Sequence, residues 1–157
     1  MKKLRICNAV LLILILFISI ACASDDPVSC DINDEDAVVE TYQFFPINSN
    51  NVWLKNVSES ESMLNLIIEN QEDYEQFIDV GEGYTKPVIE FEKYTLLAGR
   101  IINPTCGQVL DQRVLNKCDK FYYEIYLQDM DCHAVTTIHY FALIKSPKTA
   151  VQFIVKR

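Results

Sequence analysis

The residues whose type and spacing could do chemistry are two histidines, a pair of aspartates, a tyrosine-rich run and a set of cysteines. His133 and His139 share parity if they lie on one strand. Six residues of strand separate them by about 20 Å, too far to share a metal ion. Each alone reads as a strand-surface or edge residue rather than a base. Asp129 and Asp131 flank Met130 in a turn, but a calcium loop needs more regularly placed oxygens and a closing glutamate. Cys106, Cys118, Cys132 and His133 have ligand chemistry without any C-x-x-C pair, which argues against zinc. The run 121–128 places Phe121, Tyr123, Ile125 and Leu127 on one face of a strand and Tyr122, Glu124, Tyr126 and Gln128 on the other. Its tyrosines could line a glycan- or protein-binding face, or pack a sheet. No hydrolase elbow, metalloprotease helix, P-loop or dinucleotide fingerprint is present. These residues predict binding rather than turnover, with no catalytic residue, metal or cofactor.

The elements that position them begin after a leader. Lys2, Lys3 and Arg5 precede an apolar run from Ala9 to Ile20, then Ala21 and Cys22, the layout of a secretory signal over residues 1–21. An uncleaved anchor would need about 20 apolar residues, and this run is shorter. Ser19-Ile20-Ala21-Cys22 resembles a bacterial lipobox, although it lacks the usual leucine three positions before the cysteine. The resemblance implies that Cys22 carries the lipid, whose buried methylenes hold the protein to a membrane. Ala23-Ser24-Asp25-Asp26 resembles the acidic export signal of Bacteroidetes surface lipoproteins. It implies an outer-membrane location in the cell envelope, with exposure at the surface.

The chain has 14 basic and 22 acidic residues; the leader takes three basic and no acidic ones, leaving 11 against 22 and a net charge of −11. Such a protein is repelled by phosphate backbones, so nucleic acid is excluded as a partner. Residues 22–40 are polar and acidic and read as a tether. Residues 41–157 read as one domain.

Within that domain, Trp53 reads as a core anchor and residues 62–69 as a strand. Asn70 caps a short helix bearing Glu72 and Asp73 in its first turn, with Tyr74, Phe77 and Ile78 on one face and Gly81 as the residue beyond its end. Strands are expected at 88–91, 94–103, 108–116, 121–128, 133–145 and 150–156. Short turns make sequential strands neighbours, so the predicted fold is α+β: a mostly antiparallel meander with one helix. The cysteines left after Cys7 and Cys22 are even in number, as expected of an exported disulfide-bonded domain. In the meander, Cys106 and Cys132 fall in turns at one end and Cys118 at the other. This order predicts Cys106–Cys132 and, by remainder, Cys30–Cys118.

The order of a strand, the helix segment Glu72-Asp73-Tyr74-Glu75-Gln76-Phe77, then residues 87–98, 142–145 and 151–153 resembles the PrcB-like C-terminal domain of protease-complex-stabilising lipoproteins. The likeness covers about 90 residues as a pattern of apolar positions. Ile89-Glu90-Phe91 stands where the family reads Ile-Asp-Phe, and its glycine-rich element is reduced to Cys106-Gly107. The resemblance implies a fold and a non-enzymatic accessory role with a protein partner, and it transfers no site residue. The rival expectation is a glycan- or small-molecule-binding surface on strand 121–128.

Overall fold

In the computed structural model, residues 38–39, 41, 45, 47–117, 120–145 and 150–157 are described. Among these residues the strands are β1 (Val38–Val39), β2 (Val52–Leu54), β3 (Met63–Ile68), β4 (Ile78–Val80), β5 (Tyr94–Asn103), β6 (Gly107–Lys117), β7 (Lys120–Asp129), β8 (Thr136–Lys145) and β9 (Val151–Lys156). The helix α1 spans Gln71–Phe77. The expected leader, the expected lipidation position Cys22, Asp25 and Asp26, and both members of the expected Cys30–Cys118 bridge lie outside the described residues.

The strands form a four-stranded sheet in the order β1-β6-β7-β9, a three-stranded sheet in the order β3-β5-β8, and the two-stranded ribbon β2-β4. All pairings are antiparallel except β7 with β9, which is parallel. The described residues are thus mostly antiparallel β with one short helix, as expected, but they do not form a meander. Among the described strands, only β6 and β7 pair as sequential neighbours in the way a meander would. The chain changes sheet between β5 and β6, again between β7 and β8, and again between β8 and β9.

The reason lies in β5. Leu96, Leu97 and Ala98 in succession are fully buried, so both faces of this strand need cover. Leu97, Ile101, Tyr140, Ala142 and Ile144 pack against Val109, Val114, Tyr123, Ile125 and Leu127 of the four-stranded sheet. Leu96, Ala98, Phe141 and Leu143 pack against Val52, Leu54, Tyr74 and Ile78 of the ribbon and helix. The three-stranded sheet is therefore the middle layer.

One row crosses that layer. Asn65, Gly99 and Tyr140 are in register on β3, β5 and β8. A Cβ on Gly99 would lie 2.2 Å from the Tyr140 ring, so the ring occupies the space that the glycine leaves. Tyr140 reaches across it to donate its hydroxyl to Asn65 Oδ1. The Tyr123 ring meets Tyr140 edge-on at 5.8 Å and donates to Gln112 Oε1, while Gln112 Nε2 donates to the Phe141 carbonyl. Those bonds lace the two sheets together where β6 passes β8.

Other expectations need correction. Asn70 caps α1 by accepting the Asp73 N–H at 2.8 Å, as read, but the chain passes from Phe77 directly into β4, so Gly81 is not the residue that ends the helix. Residues 88–91 form no strand; Ile89 is buried under the helix while Val88 is exposed. His133 precedes β8 and so has no strand parity to share with His139. Val38–Val39, at the end of the expected tether, pair with Leu115 and Val114.

Candidate functional site

A cleft of about 430 Å³ with mixed chemistry lies where the segment 48–53 passes the starts of β6 and β8. Its wall includes Trp53, and this revises the expected core anchor. Val52 and Leu54 point inward and are buried, so strand alternation turns Trp53 to the opposite, half-buried side. Three apolar residues in a row concealed that parity in the sequence.

The turn before β2 is fixed by Asn48, whose φ of 59° is left-handed, a conformation that asparagine tolerates. Its side chain accepts from the Val109 N–H and donates to the Val109 carbonyl, both at 2.8 Å. The β6–β7 register slips between Val109 and Asp111, and such a bulge takes backbone groups out of the ladder. Asn48 satisfies them and so pins one wall of the cleft to the other.

A disulfide holds the third side. Cys106 and Cys132 are bridged with α-carbons 5.4 Å apart, as predicted. Gly107 and Asp129 are the pair at the open end of the β6–β7 hairpin, which is the part of the expected meander that exists. Met130 donates its N–H to the Cys106 carbonyl at 2.8 Å and lines the cleft.

His139 lines the cleft from β8. Its Nδ1 accepts the Leu54 N–H at 3.2 Å, so the neutral ring carries its proton on Nε2. The ring stacks parallel to Phe141 at 6.5 Å. Burial, and then the Arg100 guanidinium, push its pKa down to about 4. Arg100 stands opposite in register, buried, with its guanidinium donating to the carbonyls of Ser58 and Glu61. His139 is therefore an uncharged strut between β8 and β2. Its partner comes from 85 positions earlier in the chain, which no local pattern could reveal.

The other candidate residues serve elsewhere. Tyr123 is buried in the core. Tyr126 has Arg113 and Lys156 over its ring at 5.3 and 5.0 Å and donates to Glu124. Burial alone would raise the pKa of Glu124, but hydrogen bonds from Lys156, Tyr126 and Arg113 outweigh it and bring it to about 2. Tyr122 is half-buried. Strand 121–128 thus commits most of its polar chemistry to the neighbouring strands β6 and β9. Asp129 accepts from Asn103 Nδ2 at 3.1 Å, while Asp131 and His133 are exposed. Among the described residues, no three His, Cys, Asp or Glu side chains gather to hold a metal ion, and no helix is long and apolar enough to cross a membrane.

No protein-family model, curated protein or solved structure matches this chain.

Proposed function

We propose that the chain is a non-enzymatic lipoprotein of the cell envelope, held to the outer membrane through Cys22, whose folded body is a binding module. A recognition role rests above all on the commitment of His139. The one imidazole at the cleft spends its basic nitrogen on the Leu54 N–H and is kept neutral, so it is a structural acceptor and not a proton carrier. The Ala21-Cys22 boundary and the acidic residues after it support the location.

A protein partner, in an accessory or stabilising role, is supported by the PrcB-like pattern and by Met63 and Ile67, large apolar residues exposed on β3 at the edge of the middle sheet. A small-molecule or glycan ligand is a second reading, favoured by the Trp53 cleft, whose volume lies in the range of ligand pockets. Capture of the chain from native membranes, followed by mass spectrometry, tests the first: a stoichiometric protein partner is expected, and its absence refutes that role. Acyl labelling tests the anchor. Cys22→Ser should abolish labelling and release the protein from the membrane fraction; a mutant that stays bound refutes lipidation.

A further inference from the structure

The cleft differs from the rest of the molecule in charge. Of the whole chain 23% is charged, with a large acidic excess, yet no residue lining the cleft bears a charge. Its polar groups are instead amides, the hydroxyls of Ser49 and Thr137, and a neutral imidazole. Asn48 uses one amide hydrogen on Val109 and gives the other to none of the described residues. Ser49 Oγ accepts from Asn51 N–H and donates its own proton to none of the described residues. Gln108 is joined to Gln128 by an exposed bond that a ligand can replace. Asn50 is exposed and makes no hydrogen bond to the described residues. His139 presents Nε2–H as a donor with no partner among them. Beside these groups stands the half-buried ring of Trp53, an apolar face of fixed orientation on a strand.

We infer that this cleft binds a neutral saccharide, with a sugar ring stacked on Trp53 and its hydroxyls bonded to Asn48, Ser49, Asn50, Gln108 and His139. A sugar hydroxyl both donates and accepts, and amides do the same, so the two are matched without burying charge. An anionic ligand would find no cation in the lining to offset its desolvation. A cationic one would find no carboxylate there. The apolar C–H face of a pyranose ring matches the indole. This inference rests on the second reading above, a small ligand in the Trp53 cleft.

Trp53 is the single tryptophan in the chain, so its emission reports on this site alone. The full chain in detergent is titrated with the neutral hexamers of glucose, mannose, xylose and N-acetylglucosamine, with hexagalacturonate and with a pool of uncharged decapeptides. A saturable change with at least one neutral hexamer, and none with hexagalacturonate, is expected. By calorimetry Trp53→Ala should weaken that binding about tenfold or more, as loss of an aromatic anchor does. Asn50→Ala, which breaks no hydrogen bond among the described residues, should weaken it by roughly threefold or more. Four results overturn the inference: silence with every hexamer, an equal response to hexagalacturonate, undiminished binding by Trp53→Ala, or a response to the peptides alone. Peptide binding lost in Trp53→Ala would leave the cleft as a recognition site while refuting the saccharide. Failure of all probes, together with partner capture unaffected by Trp53→Ala, would remove the cleft from recognition altogether.

Discussion

Replacing Gly99 with alanine should destabilise the protein by about 2 kcal/mol. The new Cβ would stand 2.2 Å from the Tyr140 ring, where carbon atoms in contact prefer about 3.5–4 Å, so the ring must withdraw by more than an ångström. It has no room to do so freely. Tyr140 is 2% exposed, holds Asn65 through its hydroxyl and has the Tyr123 ring against it. Overpacking of this kind costs about 1–3 kcal/mol. Loss of the Asn65 bond adds roughly 1 kcal/mol. The smaller conformational freedom of alanine in the unfolded chain returns about 0.4–1 kcal/mol. Urea unfolding followed through Trp53 emission measures the difference. The decisive comparison is a double mutant: with Tyr140→Leu the obstructing ring is gone, and Gly99→Ala should then be close to neutral. A Gly99→Ala protein within about 0.5 kcal/mol of the parent, or the same penalty in both backgrounds, would refute the claim that ring and glycine share one space.

Three further outcomes follow from the charges and the disulfide. The folded-state pKa of His139 lies below the ordinary value of 6.5, at about 4, so the unfolded chain takes up the proton first. Stability should therefore fall between pH 6.5 and pH 4, by up to about 3 kcal/mol. His139→Asn, which can offer Oδ1 to Leu54 without titrating, should flatten that slope in acid denaturation curves, and an unchanged slope would point to another group. Glu124 shifts the same way for the opposite reason: its carboxylate is favoured in the folded state, so its contribution is complete above about pH 4.5 and is lost toward pH 2. Glu124→Gln should cost about 1–2 kcal/mol at neutral pH in urea unfolding, because Arg113 and Lys156 lose the acceptor they share. Removing the Cys106–Cys132 bridge by paired serine substitution should cost about 3.5 kcal/mol on the chain-entropy estimate for its 26-residue separation. A protein equally stable without the bridge would show that the hairpin alone holds those two connections.

The sequence was most legible where a single element explains itself. Asn70 and Asp73 mark the start of α1, alternation over 121–128 marks β7, and the hairpin of β6 with β7 was enough to pair Cys106 with Cys132. It was least legible where two elements share a consequence. Period-2 alternation says which way a side chain points but not which sheet its strand joins, so β6 and β8 looked like neighbours of whatever preceded them. The sign that a single layer would not suffice stood in Leu96-Leu97-Ala98, which puts apolar groups on both faces of β5. The candidate site was hidden for a similar reason. Trp53 and His139 are unremarkable singly, and only the fold brings β2, β6 and β8 around one cleft.

The parallel pairing of β9 with β7 sets an order of assembly. From Phe121 to Tyr126 the backbone of β7 is paired on one side with β6 and on the other only with residues 151–156. A chain emerging N-terminus first, from a ribosome or a membrane channel, completes the hairpin early but leaves that second edge open. All of β8 must emerge, and leave for the other sheet, before the partner strand arrives. Parallel pairings between distant segments form slowly, and an open edge invites pairing with other chains. Completion of the four-stranded sheet is thus a late step, and during the interval the nascent protein depends on whatever shields β7.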